Sequence, residues 1–332
     1  MSSVRPPLAM TMGDPAGVGP ELALKARARA APGDPPFFVL AAPEAMAAAT
    51  RRLGVDTRLI ETDLEGVDAA FAKGLPVVPL ENRASVEPGR PDPESASATI
   101  ESITRAVAAV QNGVARALVT NPIAKSVLYA SGFPFPGHTE FLGELAAKWG
   151  GPSFPVMMIW SEALAVVPVT IHIPLSEAPK ALTFDLLLKT ARIVDREMRA
   201  RFGLAKPRLA FAGLNPHAGE GGAMGREEID VIAPAIAALR EEGIAAVGPL
   251  PADTMFHARA REGYDVALAM YHDQGLIPAK TLAFDEGVNV TLGLPFVRTS
   301  PDHGTAFDIA GKGIANPSSL IAAVRLADRL TR

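Results

Sequence analysis

Residues 270–280 read MYHDQGLIPAK, and residues 289–317 read NVTLGLPFVRTSPDHGTAFDIAGKGIANP. The first segment begins inside an apolar run, residues 266–271, which predicts a buried β-strand. His272, Asp273 and Gln274 follow at the point where this strand ends. In open α/β sheets, ligands bind just beyond the carboxyl ends of the strands. The two segments therefore predict an α/β protein whose ligand site includes His272 and its neighbours.

The rest of these segments supplies anion-binding side chains and a loop that a ligand can approach closely. Lys280, Asn289 and Arg298 suit a phosphate or carboxylate, Arg through a planar pair of donors and Lys through a point charge. Glycines at 304, 311 and 313 allow a close approach of the backbone to a ligand. Each feature alone also fits an ordinary strand or turn. Their order and density favour a site.

The motif DHGTAFDIAGKGIANP at residues 302–317 resembles the cofactor loop of the isocitrate and isopropylmalate dehydrogenase superfamily. Four other motifs resemble one branch of it, the 4-hydroxythreonine-4-phosphate dehydrogenase family. They are GDPAGVGPE at 13–21, GHTE at 137–140, NPHAGE at 215–220 and YHDQG at 271–275. The match covers nearly the whole chain in order. The resemblance implies two α/β/α domains with an active-site cleft between them.

The resemblance also implies an activity: the oxidation, by NAD or NADP, of 4-phosphooxy-L-threonine to 2-amino-3-oxo-4-phosphooxybutanoate. This product decarboxylates to 3-amino-2-oxopropyl phosphate, a step in pyridoxal 5′-phosphate biosynthesis. The implied substrate-binding residues are His138, Thr139, Lys280, Asn289 and Arg298. The implied cofactor-binding residues are His303, Gly304, Asp308 and Gly311, with Asp308 a partner for the ribose or the adenine.

Two alternative activities stay open. A dehydrogenase of a related phosphorylated four-carbon acid, such as 4-phosphoerythronate or 4-phosphothreonate, could keep every one of these motifs. A phosphate acyltransferase can share the fold, but it would need neither a nicotinamide cofactor nor metal-binding histidines. A non-catalytic scaffold would have no use for the clustered His, Lys and Arg side chains, and we rank it last.

Three of the six histidines, His172, His217 and His272, lie on or just beyond apolar strands. Three neutral imidazoles are a sufficient protein ligand set for a catalytic divalent metal, although position alone favours ordinary polar histidines. The three match the metal ligands of the resembled family, which implies one divalent metal in each site. Imidazole suits Zn and Co, whereas Mg prefers oxygen ligands. The sequence does not decide among these three metals. Asp253 and Asp273 are candidate partners that orient the rings.

The general base of the reaction is not assigned by the sequence. Lys280, Asp253 and Asp273 are the candidate catalytic residues. The resemblance implies that the metal acts as a Lewis acid toward the hydroxyl oxygen that is oxidised.

Composition excludes several classes of protein. Hydrophobic residues make up 48% of the chain and charged residues 20%, which is typical of a soluble globular protein. A net charge of −4 gives no basic surface for nucleic acid, and no apolar run is long enough to span a bilayer. The N-terminus lacks the apolar core of a signal peptide, and the absence of cysteine excludes disulfides and thiolate metal sites. We expect a cytoplasmic enzyme.

A chain of 332 residues predicts two domains. We expect residues 1–128 and 270–332 to form a cofactor-side α/β domain, and residues 129–269 to form a central α/β domain with the dimer contacts. The resemblance implies a homodimer whose sites contain residues of both subunits. Because His172 and His217 fall in the predicted central domain, we predict that one subunit supplies these two ligands and its partner supplies His272.

Three local predictions concern the surroundings of these residues. His138 and Thr139 are predicted to precede a helix at residues 140–149, whose backbone donors suit an anion. His172 is predicted to lie within a strand at residues 164–173. Glu227 and Glu228 are predicted to begin a helix, where carboxylates interact favourably with the positive end of the helix dipole.

Overall fold

The structure is a computed structural model that describes residues 5–84, 86–135, 137–150 and 154–332. The chain divides into two compact units. The first unit comprises Met1–Pro155 with Leu294–Arg332, and the second comprises Val156–Gly293. Each unit combines a hydrogen-bonded sheet with helices, which confirms the predicted α/β class. Both boundaries fall later in the chain than the predicted ones, which lie after residues 128 and 269.

The sheet of the first unit is parallel. Its strands are β1 (Leu8–Thr11), β2 (Phe37–Ala41), β3 (Leu59–Glu61), β4 (Leu75–Pro79), β5 (Leu118–Val119) and β12 (Arg298–Pro301). They pair in the order β3-β4-β2-β1-β5-β12, and every pairing is parallel. Strands β1 and β2 are buried along their whole length, as expected for a parallel sheet covered on both faces.

The helices of the first unit connect these strands. They are α1 (Gly19–Ala28), α2 (Pro43–Leu53), α3 (Val67–Phe71), α4 (Ala96–Gln111), α5 (Lys125–Ala130), α6 (His138–Lys148) and α13 (Ser318–Arg329). Helix α4 packs on β1 and β2, and α13 packs on β12 and β5. Both α1 and α2 begin with a proline in the first turn, where the missing amide hydrogen costs nothing.

Aromatic packing explains why the first unit extends to residue 155. Phe133 and Phe135 both pack against Phe141 of α6, with ring centroids 5.0 Å and 5.2 Å away. Trp149, which follows α6, stacks on Phe296 with centroids 5.4 Å apart. These contacts bury aromatic surface within the first unit, so the segment predicted to open the central domain stays with β5 and β12.

The sheet of the second unit is mixed. Its strands are β6 (Val156–Trp160), β7 (Ala165–Thr170), β8 (Arg208–Ala212), β9 (Ala245–Leu250), β10 (Val266–Tyr271) and β11 (Val288–Leu292). They pair in the order β11-β6-β7-β10-β8-β9. The pairings of β6 with β11 and β7 are antiparallel, and the others are parallel. Because β11 pairs with β6, the second unit extends beyond residue 270.

The helices of the second unit pack on this sheet. They are α7 (Ala178–Ala181), α8 (Phe184–Ala200), α9 (Ala233–Glu241), α10 (Ala252–Met255), α11 (Ala258–Arg261) and α12 (His272–Ala283). Helix α12 approaches β7 and β10 closely, since a methyl group on Gly275 would lie 2.8 Å from Val166 Cγ2 and 3.1 Å from Ala269 Cβ. This packing fixes the first turn of α12 at the end of the sheet. Among the described residues, no helix is long and apolar enough to cross a membrane.

Candidate active site

Two histidines meet at the carboxyl ends of β7 and β10. The strands are parallel neighbours, with Thr170 opposite Tyr271. His272 follows β10 directly, and His172 lies two residues beyond β7. Their ring centroids are 5.7 Å apart, and the ring planes are tilted by 43°. A cavity of about 240 Å³ opens here, lined by both rings.

His172 does not lie within a strand, in contrast to the prediction. Strand β7 ends at Thr170, and His172 has a φ of 54°, in the left-handed region. Such a conformation is unfavourable for a residue with a side chain and persists only where the surrounding structure enforces it. The backbone turns here, and this turn places the His172 ring beside His272.

A carboxylate orients the His272 ring. Its Nδ1 lies 2.7 Å from Asp273 Oδ1. An ionised carboxylate only accepts hydrogen bonds, so Nδ1 is the donor in this contact and Nε2 is the ring nitrogen that could bind a ligand. Metal-binding histidines commonly have this arrangement. The structure therefore places Asp273 where an orienting partner of His272 belongs.

Besides the histidines and Asp273, the predicted site residues of the second unit are Asp253, Lys280 and Asn289. Asp253 of α10 lines a groove of about 400 Å³ together with Asp273 and Gln274. Lys280 lies about two helical turns beyond His272 on α12, and Asn289 lies on β11, opposite Ile159 of β6. Lys280 and Asn289 are both partly buried.

His217 lies in a left-handed turn after β8. The φ angles from His217 to Gly221 are 51°, 53°, 80°, 46° and 66°. The His217 side chain is 63% exposed, and its Nδ1 lies 2.6 Å from Glu220 Oε1. Nδ1 is the ring nitrogen that donates to this carboxylate, as in His272, so Nε2 is the one that could bind a ligand.

The three predicted metal ligands do not come together within one chain. Over residues 5–84, 86–135, 137–150 and 154–332, no group of three His, Asp or Glu side chains is placed to hold a metal ion. His172 and His272 form a pair, whereas His217 is exposed on its own turn. The predicted division, with His172 and His217 from one subunit, does not fit this arrangement, because the neighbouring strands β7 and β10 bring His172 to His272 instead.

A second group of predicted site residues lies in the first unit, at the start of α6. The helix begins at His138 rather than at residue 140, with Gly137 as its N-cap, so His138 and Thr139 belong to its first turn. Arg298 opens β12 and is 4% exposed. Its Nε and Nη2 donate hydrogen bonds of 3.0 Å and 2.7 Å to Thr120 Oγ1. Thr120, which follows β5, thus orients the guanidinium.

This place is electrostatically suited to an anion. His138 Nε2 is buried and has no hydrogen-bond partner among the described residues. Burial of the imidazole and, to a smaller extent, the Arg298 charge hold the pKa of His138 well below its usual range. Burial also lowers the pKa of Arg298 to about 10, so it stays a cation at neutral pH. A cation, a neutral imidazole and the positive end of a helix together favour a bound phosphate, sulfate or carboxylate.

We expect sulfate to bind this site more tightly as the pH falls. The His138 pKa is depressed in the free protein, and a bound anion raises it, so only the complex takes up a proton. Lowering the pH should raise the affinity for sulfate by up to about tenfold for each pH unit by which the anion raises the His138 pKa. Calorimetric titration over roughly pH 5 to 8, where sulfate stays a dianion, measures the slope.

In this titration, His138→Asn should remove the pH dependence of sulfate binding. His257→Asn is the matched control, because His257 is exposed and its Nδ1 caps α11. An unchanged slope in His138→Asn would assign the proton uptake to another group.

The predicted cofactor residues share one exposed segment of the first unit. His303, Gly304 and Asp308 are exposed, and a methyl group on Gly304 would meet nothing within 4 Å. Gly311 is different, since a methyl group there would lie 2.8 Å from Pro88 and 2.9 Å from Arg52 Nε. Packing within the unit therefore explains Gly311, whereas Gly304 leaves the backbone open to a ligand.

Side chains of α1 hold the end of this segment. Lys25 Nζ donates to the carbonyl oxygens of Gly313 and Ala315 over 2.8 Å and 2.7 Å. Glu21 Oε1 accepts from both Lys25 Nζ and the Ala315 amide. The segment thus has a fixed shape although much of it is exposed.

Two residues of the first unit, Thr120 and Asp14, are not among the predicted site residues. Thr120 follows a short apolar run and adjoins Asn121, and a hydroxyl at a strand end is a usable signal. Asp14 is 1% exposed, and burial raises its pKa to about 6, against the effect of the Ala16 amide that donates to it. No periodicity marks a buried carboxyl group in a glycine-rich turn.

Comparison with known proteins identifies the family of this chain. The family described as "Pyridoxal phosphate biosynthetic protein PdxA" matches residues 34–327. The 4-hydroxythreonine-4-phosphate dehydrogenase of Methylorubrum populi is 61% identical, over 100% of this chain and 96% of its own length. That of Xanthobacter autotrophicus is 60% identical, over 98% and 93%. The crystal structure of the Klebsiella pneumoniae enzyme matches with a TM-score of 0.86 and 36% identity, covering 98% of this chain and 100% of that one. The chain therefore belongs to the pyridoxal phosphate biosynthetic protein PdxA family.

Proposed function

We propose that this chain oxidises 4-phosphooxy-L-threonine with NAD or NADP to 2-amino-3-oxo-4-phosphooxybutanoate. Loss of carbon dioxide then gives 3-amino-2-oxopropyl phosphate for pyridoxal 5′-phosphate synthesis. The observation that carries this proposal is the anion site at the start of α6, formed by Arg298, Thr120 and the buried Nε2 of His138. Such a site suits a phosphorylated acid, and the relatives of this chain are named for one.

Substrate binding in this proposal begins with Arg298. Its planar fork and the amides of the α6 first turn bind the phosphate, and His138 and Thr139 complete its hydrogen bonds. Lys280 and Asn289 bind the remaining polar groups of the substrate. Binding both ends of the substrate also fixes the position of the hydroxyl carbon relative to the nicotinamide. Orientation contributes most to the rate when it concerns these two reacting groups.

The histidines fit a divalent metal. The His172 and His272 rings adjoin, and the Nδ1 atoms of His272 and His217 each meet a carboxylate, so that Nε2 is the ligand atom. A metal held by His172, His272 and His217 would supply Lewis acidity toward the hydroxyl group that is oxidised. Imidazole donors favour Zn or Co over Mg, which prefers oxygen.

The proton of the substrate hydroxyl needs an acceptor in the protein. Asp273 already accepts from His272, which makes it an orienting residue. Lys280 and Asp253 remain the groups able to take the proton. For the cofactor, the exposed backbone at Gly304 and the side chains of His303 and Asp308 bind the adenosine half, and Gly311 keeps the loop in shape.

Exposed apolar side chains support a homodimer formed through the second unit. Ile277 lies on α12 and is 65% exposed, and Phe284, which directly follows this helix, is 75% exposed. Leu175, three residues after His172, is 66% exposed. Met224, in the loop that carries His217, is also exposed. Apolar surface of this kind marks protein interfaces. In a two-fold dimer, the same contact brings His217 of each subunit to the His172 and His272 pair of its partner.

The test is an assay of NAD and NADP reduction with 4-phosphooxy-L-threonine and 4-phosphoerythronate side by side. We expect turnover with the first acid and release of carbon dioxide. Preference for 4-phosphoerythronate or 4-phosphothreonate would identify the related dehydrogenase, because the same anion site binds any of these phosphates. Transfer of an acyl group to phosphate, without reduction of NAD or NADP, would identify the phosphate acyltransferase instead. In such an enzyme, the paired histidines would have no role as metal ligands.

A further inference from the structure

A buried carboxylate lies beneath the left-handed turn that carries His217. Glu228 is 3% exposed. Its Oε1 accepts the backbone amide of Asn215 over 2.8 Å, and its Oε2 accepts the side-chain Nδ2 of the same residue over 3.0 Å. Asn215 is the residue from which the turn departs. Glu228 thus holds the start of the turn through two hydrogen bonds, and Glu227 Oε2 accepts from the same Asn215 Nδ2 over 2.7 Å.

The turn is fitted around this carboxylate. A methyl group on Gly219 would lie 2.6 Å from Glu228 Oε2, and one on Gly213 would lie 3.2 Å from Glu228 Oε1. Gly219 also has a φ of 80°, which disfavours any side chain. The glycines therefore make the space that the carboxylate fills, and the backbone passes directly over it.

The chemistry of the contact requires a carboxylate. Both groups of Asn215 that face Glu228 are donors, so both oxygens must accept. A glutamine amide has one acceptor and would direct its own donors at the other N–H. The predicted role of Glu228, an acidic residue interacting with a helix dipole, does not describe this contact. Glu228 opens a π-helical turn, Glu228–Ile232, and its side chain bonds to Asn215, 13 residues earlier in the chain.

Strain explains why the turn needs support. His217, Ala218 and Glu220 adopt left-handed conformations that residues with side chains avoid, and such conformations persist only when neighbouring contacts enforce them. Glu228 supplies contacts on the inner side of the turn. Without them, the segment has more favourable conformations available, and the His217 ring leaves its position.

We infer that Glu228 is a positioning residue for metal binding, which holds His217 in place through Asn215 and the left-handed turn. This inference rests on the proposed role of His217 as a metal ligand. It concerns the shape of the turn and involves no contact between Glu228 and the metal. Residues that orient ligands in this way typically change metal affinity by about 10- to 100-fold.

The test is a titration of the full-length protein with Co²⁺, followed by visible absorption, which reports both affinity and ligand geometry. Glu228→Gln should bind Co²⁺ about 10- to 100-fold more weakly than the wild type and with a changed spectrum. Asp230→Asn is the matched control. It removes the same charge two residues away, where the carboxylate bonds only to the exposed Arg226 in the described contacts, and its titration should match the wild type.

Two further readouts separate positioning from general loss of structure. Sulfate binding at the His138 and Arg298 site of the first unit should be unchanged in Glu228→Gln. If Glu228→Gln fails to fold, Glu228→Asp decides the question, since it keeps the charge but withdraws the carboxylate from Asn215. Glu228→Asp should weaken Co²⁺ binding to a similar extent, and wild-type affinity in that variant would overturn the inference.

Failure of the inference differs from failure of the proposed function. If His217→Ala binds Co²⁺ as tightly as the wild type, or the wild type does not bind it, the proposed metal ligand set is incorrect. If His217→Ala loses affinity while Glu228→Gln binds normally, the ligand set stands and the positioning role of Glu228 is refuted.

Discussion

Arg298→Ala should lower kcat/KM for the phosphorylated substrate by roughly 30- to 1000-fold, equivalent to about 2 to 4 kcal/mol of transition-state stabilisation. Arg298 is buried, so its charge acts on an anion with little screening by water. Its two hydrogen bonds to Thr120 Oγ1 fix the plane of the guanidinium. Arg298→Ala therefore removes both a positive charge and a pair of oriented hydrogen-bond donors.

Arg298→Lys should recover only part of this loss. A lysine restores the charge as a point but cannot reproduce the planar fork or its two bonds to Thr120. Thr120→Val should have a smaller effect in the same direction, because it leaves the charge and removes only the group that orients it. Steady-state kinetics of the three variants, with sulfate affinity as a second measurement, test this order.

Loss of a buried guanidinium also affects stability, and this effect needs its own control. Arg116 of the first unit is nearly buried as well and forms an ion pair of 2.6 Å with Asp328. Arg116→Ala should lower the thermal midpoint without a comparable change in KM. The affinity of Arg298→Ala for the nicotinamide cofactor should stay close to that of the wild type. A loss confined to cofactor binding would instead assign Arg298 to the cofactor.

Some parts of this molecule could be predicted from local sequence. The apolar runs at Phe37–Ala41 and Val266–Tyr271 have the lengths and positions of strands β2 and β10. Burial on both faces leaves a continuous apolar signal, which is why such strands are easily recognised. The polar residues that follow β10 then identify one edge of the site. The family resemblance supplied the substrate and the activity, which no periodicity could.

Other parts depend on contacts between distant residues. The left-handed conformation of His217 is enforced by Glu228 through Asn215, and no local pattern around His217 indicates it. The end of the first unit depends on Trp149 meeting Phe296, which are far apart in the sequence. The pairing of His172 with His272 requires the neighbouring positions of β7 and β10, a property of strand order. The sequence was sufficient to identify His172, His217 and His272 as candidate ligands. The order of the strands in the sheet determines that His172 and His272 lie side by side.

Mixing inactive His172→Ala and His217→Ala subunits should restore activity. If His172 and His272 of one subunit combine with His217 of its partner, a hybrid dimer has one site that lacks two ligands and one intact site. With random exchange about half of the dimers are hybrids, so about a quarter of all sites should recover. Each variant alone should be inactive, because every site then lacks one ligand.

The matched experiment mixes His172→Ala with His272→Ala. These two residues adjoin in one chain, with ring centroids 5.7 Å apart, so each site of the hybrid lacks one member of the pair and no activity should return. Native mass spectrometry establishes that hybrids form in both mixtures. Recovery in the second mixture alone would restore the division predicted from the sequence, with His172 and His217 from one subunit. Recovery in neither, despite hybrids, would place all three ligands of a site within one subunit, and the exposed left-handed turn would then have to move to the His172 and His272 pair of its own chain.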